Sequence, residues 1–281
     1  MILSNVVFVL HRPSSAENLG AVARVLKNFG LSGLSVVEPP AWAGAPRSGR
    51  GASGREDVLD RARRTARHAS DLLETAALRP DLAAALSGTT WACGTTSRGV
   101  EGRPRLSPRE MARELSLRSA RGPVAVVLGE ERRGLSDAEL GLCQAVCTIP
   151  TGAAYDSMNL AQAAAVLAYE VALAAGAEGP QADAVGRAEG GAQATAGRRP
   201  APLPGREPAR HETVEALWSR LRKLLTAAGY LNPQNPEDIL AEWRRTLSRA
   251  DPTQREVELL VAGARALERR LRLTPPGGDG G

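Results

Sequence analysis

The clearest structural signal in this sequence is the stretch VAVVLGEERRGL, residues 124–135. It opens with an unbroken apolar run, Val124–Leu128, that is rich in β-branched residues. A short apolar run without polar alternation is typical of a strand buried on both faces of a parallel sheet. Gly129 ends the run, and a polar loop with a second glycine, Gly134, follows it. We therefore expect a central parallel strand with a candidate ligand-binding loop at its carboxyl end.

Similar but weaker strand signals alternate with helical patterns on both sides of this stretch. Strands are expected at Val6–Leu10, Leu34–Val37, Thr90–Gly94, Val124–Leu128 and Val146–Ile149. Helices are expected at Asn18–Phe29, 55–75, 80–86, Pro108–Ser116 and Asn159–Ala175, and from a Ser136 cap, with Glu139 at the capping-box position, to Cys143. This alternation predicts an α/β domain with a parallel sheet.

A change in composition divides the chain. Residues 176–210 contain 7 Gly, 5 Pro and 9 Ala without apolar periodicity, which is typical of a flexible linker. Three apolar stripes at helical spacing follow, beginning near Leu217, Ile239 and Val257, and they predict a small all-helical module. The expected organisation is an α/β domain over 1–175, a linker over 176–210, a helical C-terminal module over 211–273 and a disordered tail over 274–281.

The composition excludes several classes of protein. With 36 Lys+Arg against 31 Asp+Glu in 281 residues, and 43% hydrophobic residues, the chain is neither intrinsically disordered nor a basic tail. The three cysteines, Cys93, Cys143 and Cys147, form no disulfide framework and lack the histidines of a zinc site. No signal-peptide pattern is present, and no run approaches the roughly 18 apolar residues of a membrane span. We expect a cytoplasmic protein with no metal and no membrane partner.

Three loops at expected strand ends carry the candidate chemistry. No Gly-x-Gly-x-x-Gly turn and no P-loop occur in the sequence, which disfavours ordinary nucleotide-binding folds. The three loops are Asn18–Arg24, Gly129–Leu135 and Ser157–Ala161. Taken singly, each has a purely structural explanation. Asn18 could cap a helix, Gly129 and Gly134 could serve only as turn residues, and the Ser157-x-Asn159 pair could be another cap.

Taken together, the three loops resemble the three motifs of the TrmH-like branch of the SPOUT RNA 2′-O-methyltransferases, in order and approximate spacing. Those motifs are Asn-x-Gly-x-x-Ala-Arg, Gly-x-Glu-x-x-Gly-Leu and Ser-Leu-Asn-(Leu/Val)-(Ala/Ser), and Met158 stands in place of the leucine of the third. The opening strand, Leu31–Pro39 and Cys93–Arg98 look most like the TrmJ-type bacterial tRNA (cytidine/uridine-32-2′-O)-methyltransferases. Residues Leu217–Leu271 resemble the helical extension of that subfamily.

The resemblance implies a fold and a cofactor that the sequence pattern alone does not offer. It implies a parallel-sheet SPOUT domain with a C-terminal trefoil knot, although knots are very rare in proteins. It implies S-adenosylmethionine as the cofactor and a homodimer whose active site is completed across the interface. The residues implied to bind the cofactor, largely through backbone groups, are Thr95, Thr96, Ser97, Gly129, Ile149, Ser157, Met158, Asn159 and Leu160.

The resemblance also implies the catalytic residues, with Arg24 at the centre and Asn18, Ser157 and Asn159 beside it. An arginine is a poor proton acceptor because its pKa lies above about 12. A guanidinium that grips the adjacent phosphate and polarises the ribose hydroxyl is the easier role. The alternative is a surface Arg24 that is ion-paired with Glu17 or Glu130. Glu130 is taken as the glutamate of the second motif, with the structural role of bridging the loops.

Substrate binding is less specific in the sequence. Residues 41–70 and residues 96–121 each carry 7 Arg against 3 acidic residues, a concentration that suits contacts to RNA phosphates. A solvated helix face explains any single arginine equally well. Arg98 aligns with a family arginine, whereas the next family arginine falls on Val100, and Arg103 and Arg105 are expected to substitute for it. The expected substrate-binding residues are Arg24, Arg98, Arg103 and Arg105.

The resemblance therefore implies a tRNA 2′-O-ribose methyltransferase that acts on cytidine or uridine at nucleotide 32 of the anticodon loop. The nearest alternative is a SPOUT ribose methyltransferase of ribosomal RNA or of another tRNA nucleotide. An alternative of a different class is a non-catalytic RNA-binding protein with a SPOUT fold. The C-terminal helical extension favours the first reading, and the intact Arg24, Ser157 and Asn159 disfavour the last.

Overall fold

The structure is a computed structural model that describes residues 1–38, 53–100, 102–152, 157–176, 207–231 and 236–271. The arginine-rich stretch 41–70 is thus described only from residue 53 onward. Most of the expected linker and the whole of the expected tail lie outside the described residues. Within these ranges, no helix has both the length and the apolar character needed to cross a membrane.

The described part of the chain folds into seven strands and ten α-helices. The strands are β1 (Val6–His11), β2 (Gly33–Val37), β3 (Ala77–Arg79), β4 (Trp91–Thr95), β5 (Arg105–Leu106), β6 (Val124–Leu128) and β7 (Ala145–Cys147). The helices are α1 (Ala16–Asn28), α2 (Ser53–Ala66), α3 (Ser70–Glu74), α4 (Leu82–Leu86), α5 (Pro108–Ser119), α6 (Asp137–Gly141), α7 (Leu160–Ala174), α8 (His211–Ala227), α9 (Pro236–Ala250) and α10 (Gln254–Arg270).

All seven strands lie in one sheet, in the order β3-β2-β1-β6-β4-β7-β5, and every neighbouring pair is parallel. Strand β6 lies at the centre, where Val126 pairs with Phe8 of β1 on one side and with Cys93 of β4 on the other. All five of its residues are buried. The expected α/β class, with its parallel sheet and C-terminal helices, is confirmed. The trefoil knot stays a prediction.

Some expected element boundaries were wrong. The helix expected over 55–75 is broken after Ala66 by a 3₁₀ turn, Arg67–Ala69, whose first residue has a positive φ of 56°. The strand expected at Val146–Ile149 is instead Ala145–Cys147. Strands β3 and β5 were not expected. They have three and two residues and lie at the edges of the sheet, so they leave no apolar run in the sequence.

Helices cover both faces of the sheet. Phe8 and Leu10 of β1 point into an apolar layer that also contains residues of α1, α5 and α7. Val9, the residue between them, points into a second layer with residues of α4 and α6. Successive residues of a strand face opposite sides, so one buried strand supplies both layers. Because the strands are parallel, the carboxyl ends of β1, β4, β6 and β7 lie at the same end of the sheet, and the loops that follow them meet there.

Helices α8, α9 and α10 form the small helical module that the sequence predicts. Its core contains Leu217, Val257 and Val261. The module lies against the α/β domain at the start of α8, where the backbone N–H of His211 donates to the carbonyl oxygen of Thr89 across 2.7 Å. The two parts of the chain are therefore in direct contact at the loop that precedes β4.

Candidate functional site

Side-chain hydrogen bonds join the three loops that the sequence singles out. The amide of Asn18, in the first loop, donates to a carboxylate oxygen of Glu131 in the second loop across 3.0 Å. The amide of Asn159, in the third loop, donates to Oδ1 of Asn18, also across 3.0 Å. Asn18 thus stands between the other two loops and satisfies a donor on one and an acceptor on the other. Residues that are far apart in the sequence form one polar network at the carboxyl edge of the sheet.

Helix caps hold two of these loops in place. Ser15, not Asn18, is the N-cap of α1, because its hydroxyl accepts a hydrogen bond from the backbone N–H of Asn18. The explanation of Asn18 as a simple cap was therefore wrong, and its side chain is free to join the loops. Asn159 does cap α7, since its Oδ1 accepts from the backbone N–H groups of Ala161 and Gln162. Asn159 caps a helix with its oxygen and bonds Asn18 with its nitrogen.

Glu131 performs the bridging role that the sequence analysis assigned to Glu130. Its carboxylate also accepts from the backbone N–H and the hydroxyl of Ser14, across 2.9 and 2.8 Å, and from the N–H of Ser15. The assignment to Glu130 was wrong by one residue, and the spacing of the motif, two residues after Gly129, points to Glu131. Burial alone would raise the pKa of Glu131, but the hydrogen bonds from Asn18 and Ser14 outweigh it and the pKa is lowered.

The second loop turns back on itself directly after β6. A Cβ atom on Gly129 would lie 2.3 Å from the carbonyl carbon of Gly134, so no larger residue fits there. Gly134 has a φ of 67°, in the left-handed region that favours glycine, and its N–H donates to the carbonyl oxygen of Glu130. Both glycines are thus required by the turn itself. The tight turn directs Glu131 towards the first loop.

A cleft of about 250 Å³ opens between the ends of β4, β6 and β7. Eight of the nine residues expected to bind the cofactor line it: Thr95, Thr96, Ser97, Gly129, Ile149, Ser157, Met158 and Leu160. The ninth, Asn159, lines an adjoining depression together with Ser157 and Met158. Leu128, Ile149 and Leu160 give the cleft an apolar wall, and the three loops give it polar edges. A concave site with an apolar wall and a few convergent polar groups is the usual form of a small-molecule site.

Three arginines expected to bind substrate are instead bonded within the chain. Arg98 donates to the carbonyl oxygen of Leu135 across 3.1 Å and pairs with Asp137 at 2.9 Å. Arg103 is partly buried and donates to the carbonyl oxygens of Gly141 and Cys143. Arg105 donates to the hydroxyl of Thr148 across 2.9 Å and to the carbonyl oxygen of Ser97. In this structure these side chains hold the loops of the cleft in place.

Arg24 differs from these arginines. Its side chain is exposed on α1, and within the described residues it has no hydrogen bond or ion pair. The ion pair with Glu17 or Glu130, offered as an alternative, does not form, and Glu17 pairs with Arg61 instead. Arg24 lines neither the cleft nor the adjoining depression of its own chain. Among the described residues it is thus an unpaired cation, and it ends the motif that begins with Asn18.

The three cysteines are buried and unpaired. Burial raises the pKa of the Cys143 thiol to about 12 and that of Cys147 to about 12, and it also raises the pKa of Cys93. A thiol with such a pKa is neither a nucleophile nor a metal ligand near neutral pH. Among the residues that the structure describes, no group of three or more His, Cys, Asp or Glu side chains could hold a metal ion.

Comparison with known proteins places this geometry in a family. Residues 5–169 match the SpoU rRNA methylase family, and residues 212–275 match the family described as tRNA methyltransferase TrmJ, C-terminal domain. The chain is 31% identical over 261 residues to the tRNA (cytidine/uridine-2′-O-)-methyltransferase TrmJ of Cronobacter sakazakii, covering 92% of this chain and 94% of the relative. It is also 31% identical to the Escherichia coli (strain K12) protein of the same name, covering 92% and 93%.

The solved structures agree with the sequence comparisons. The chain superposes on the crystal structure of TrmJ from Z. mobilis ZM4 with a TM-score of 0.69 at 26% identity, covering 93% of this chain and 98% of that one. The match extends across the α/β domain and the helical module. The resemblance stated from the three motifs is confirmed, and the chain belongs to the SpoU rRNA methylase family.

Proposed function

We propose that this chain is an S-adenosylmethionine-dependent tRNA 2′-O-methyltransferase that modifies cytidine or uridine at nucleotide 32 of the anticodon loop. The observation that carries the proposal is the joining of all three family motifs by the hydrogen bonds among Glu131, Asn18 and Asn159, beside a cleft of suitable form. Relatives that share 31% identity over nearly the whole chain are named tRNA (cytidine/uridine-2′-O-)-methyltransferases. The helical module, which matches the TrmJ C-terminal domain, favours a tRNA substrate over ribosomal RNA.

The residues of the cleft fit S-adenosylmethionine. Leu128, Ile149 and Leu160 offer an apolar surface for an adenine ring, and the backbone of the turn at Gly129 is open to a ligand. Ser157 lines the same cleft and Asn159 the adjoining depression, and their polar side chains suit the ribose and amino-acid parts. When bound, the cofactor supplies an electrophilic methyl group on a positively charged sulfur.

The protein's own side chains then have to orient the ribose. The 2′-oxygen must lie in line with the methyl carbon and the sulfur, and correct placement alone accounts for much of the acceleration in such displacements. Arg24 is suited to grip the phosphate beside the target nucleotide and to polarise the 2′-hydroxyl. It is not suited to accept the proton, because a guanidinium stays protonated at neutral pH. Asn18 and Asn159 position the loops around the reacting atoms.

We also propose that the active site is shared between two copies of the chain. Arg24 does not line the cleft of its own chain, so an Arg24 that takes part in the reaction would act at the cleft of another chain. An apolar patch at the end of α1 and on α7 supports a self-association surface, since Tyr169 and Leu173 of α7 are each 49% exposed and Tyr169 packs edge-on against Phe29, which follows α1. A contiguous exposed apolar patch of this kind is typical of a protein–protein interface.

The domain organisation expected from the sequence is proposed with this function. It comprises a SPOUT domain over 1–175, with its knot, a linker over 176–210, a helical module over 211–273 and a tail over 274–281. A cytoplasmic location is proposed because the modification acts on tRNA. The end of α7 at Ala174 and the start of α8 at His211 support the two boundaries of the linker.

The activity is tested by incubating the full-length protein with methyl-labelled S-adenosylmethionine and either bulk tRNA or ribosomal RNA. Mapping of 2′-O-methyl groups in tRNA from a strain lacking the gene then identifies the nucleotide. Transfer to tRNA at nucleotide 32 supports the proposal. Transfer to ribosomal RNA, or to another tRNA position, establishes the enzymatic alternative. Tight RNA binding without any transfer establishes the non-catalytic one.

The shared site is tested by mixing two inactive variants. Arg24→Ala lacks the cation, and Gly129→Ala obstructs the turn of the cleft, because the added Cβ would contact Gly134. Dimers formed from one chain of each kind contain one site with an intact cleft and an intact arginine from the other chain. Mixing should therefore restore activity. No restoration, despite exchange of subunits, would place the whole site within a single chain.

A further inference from the structure

The loop between β4 and β5 connects the cleft to the helical module. Its first residues, Thr96, Ser97 and Arg98, line the cleft. Its last residues, Gly102 and Arg103, line a separate cleft of about 520 Å³ between the edge of the sheet and the helical module. One short segment thus faces the candidate cofactor at one end and the C-terminal helices at the other.

Arginines fasten this loop to α6 at both ends. Arg98 bonds the carbonyl oxygen of Leu135 and the carboxylate of Asp137, where α6 begins. Arg103 donates to the carbonyl oxygens of Gly141, across 2.6 Å, and of Cys143, where α6 ends. Because α6 follows directly after the turn that holds Gly129, the loop, the helix and the turn form one connected wall beside the cofactor cleft, which Thr96–Arg98 and Gly129–Leu135 line.

Arg245 of α9 packs against this wall from the side of the module. A Cβ atom on Gly102 would lie 2.2 Å from Cδ and 2.4 Å from Nη1 of Arg245, so the side chain rests directly on the backbone of the loop. Gly102 has a φ of 70°, which only glycine adopts without strain. The ion pair of Arg245 is with Glu242 of its own helix, at 3.6 Å. Its contact with Gly102 therefore comes from packing and does not rest on a salt bridge between the two parts.

The module has other attachments to the α/β domain that do not involve this loop. Asp251 accepts hydrogen bonds from Arg118, across 2.7 Å, and from Arg121, across 3.4 Å. At the start of α8, the N–H groups of His211 and Glu212 donate to carbonyl oxygens before β4. Removal of the Arg245 side chain should therefore leave the module in place and remove only its packing contact with the loop.

We propose that Arg245 is a positioning residue for the cofactor, which it serves by holding the loop of Gly102 and Arg103, and through it Thr96–Arg98, in the shape that binds S-adenosylmethionine. The helical module then supports the loop that lines the cofactor cleft, in addition to any contact it makes with RNA. The inference rests on the proposed function, since it takes S-adenosylmethionine as the ligand of the cleft.

The test is the affinity of the full-length protein for S-adenosylmethionine, measured by titration calorimetry without RNA. Arg245→Ala should weaken binding about fivefold or more, the lower end of typical coupling between two sites. Arg265→Ala is the matched control, because Arg265 is exposed on α10 of the same module. It should leave the affinity unchanged. The unfolding midpoint of each variant shows whether the fold is retained, and Arg245→Gln serves if the alanine variant is not folded.

A double-mutant cycle separates the contact from a general loss of stability. Gly102→Ala should weaken cofactor binding strongly when Arg245 is present, for two reasons. The new Cβ would clash with the Arg245 side chain, and alanine is strained at the positive φ of this position. In the Arg245→Ala background only the strain remains, so the same change should cost less. Additive effects of the two substitutions would show that the residues act independently, and the inference would then fail.

The affinity for tRNA without cofactor distinguishes the remaining outcomes. If Arg245 binds a phosphate instead, Arg245→Ala weakens tRNA binding and its salt dependence while the cofactor affinity is unchanged, and the inference is overturned although the proposed function stands. If the cofactor affinity falls as expected but no RNA is methylated, the positioning role stands and the proposed function fails. A full-length protein that binds no S-adenosylmethionine contradicts both.

Discussion

Asn159 donates a hydrogen bond to Asn18 across 3.0 Å, although 140 residues separate the two along the chain. The same Asn159 side chain caps α7 through its oxygen. Capping and bridging can therefore be separated by substitution. Asn159→Ser keeps an oxygen for the cap but has no amide to reach Asn18. Asn159→Ala loses both functions.

We expect Asn159→Ala to lower the free energy of unfolding by about 1 kcal/mol, the usual effect of losing an N-cap. Asn159→Ser should be nearly as stable as the unaltered protein. Both should lose most of their methyltransferase activity, because both break the bond to Asn18. Urea unfolding and methyl transfer to tRNA measure the two effects. An active Asn159→Ser variant would show that the cap alone is needed.

Glu131→Gln should lower the free energy of unfolding by about 1–2 kcal/mol, because a charged acceptor shared by Ser14, Ser15 and Asn18 becomes neutral. In the glutamine side chain an NH₂ group also replaces one of the two carboxylate oxygens, so a donor then faces the donors of the neighbouring residues. Glu130→Gln is the matched control and should change stability little. A larger effect at Glu130 than at Glu131, measured by urea unfolding, would show that Glu130 is the bridging residue.

Arg24→Ala should abolish methyl transfer while leaving the affinity for S-adenosylmethionine within about threefold, since the side chain makes no bond to the described residues of its own chain and does not line the cleft. Lys27→Ala, on the same helix, removes a cation that pairs with Asp71 and serves as the control. Single-turnover rates and calorimetry separate the two quantities. Retained transfer in Arg24→Ala would remove it from the catalytic residues.

Arg105→Ala should weaken cofactor binding and leave the salt dependence of tRNA binding unchanged, because the guanidinium bonds Thr148 and Ser97 at the cleft. A residue that contacts phosphate behaves in the opposite way, since its loss lowers the slope of affinity against salt concentration. Arg109→Ala, an exposed arginine on α5, is the control. A lower slope for Arg105→Ala would restore the substrate role that the sequence suggested.

Acidification should destabilise the protein below about pH 6.5, the unperturbed histidine pKa. Burial lowers the pKa of both His11 and His211. The unfolded chain therefore binds more protons than the folded chain below that pH, so the free energy of unfolding falls as the pH falls through this window. The loss is complete once the pH is below the lowered values.

Substitution of His211 tests how much the helical module contributes to this pH dependence of stability. Its Nε2 is buried without a hydrogen-bond partner in the described structure. His211→Phe should reduce the dependence of stability on pH between 7 and 5. His68→Gln, at an exposed position, is the control variant. Urea unfolding at a series of pH values measures both. An unaltered pH dependence in His211→Phe would exclude this histidine.

The parts of the fold that could be predicted are those in which buried residues follow one another as an unbroken apolar run in the sequence. Val124–Leu128 is apolar throughout because helices cover both faces of the strand, and its bounds were predicted to the residue. Arg105–Leu106 was missed because two residues at a sheet edge carry no such pattern. The polar break at Arg67 was missed because one residue with a positive φ has no sequence signature.

The candidate site was predicted as a set of residues but not as a set of bonds. The three loops were identified from spacing, and they do converge. Which of two adjacent glutamates faces Asn18 depends on how the turn after Gly129 is wound. Composition does not distinguish them, although the Gly-x-Glu spacing of the motif indicates Glu131. The arginines show the same limit, because a guanidinium that binds a backbone carbonyl and one that binds a phosphate are the same residue in a sequence.

The position of β6 in the sheet has a consequence for biosynthesis. Strand β1 leaves the ribosome before both of the strands with which it pairs, β2 and β6, and Val6 meets Val124 in the second pairing. The central pairing therefore waits until most of the α/β domain has been synthesised, and until then β1 exposes an unpaired edge and an apolar face. Pairings of such long range fold slowly. The nascent chain thus has an extended interval in which its N-terminal strand is open to chaperones and to aggregation.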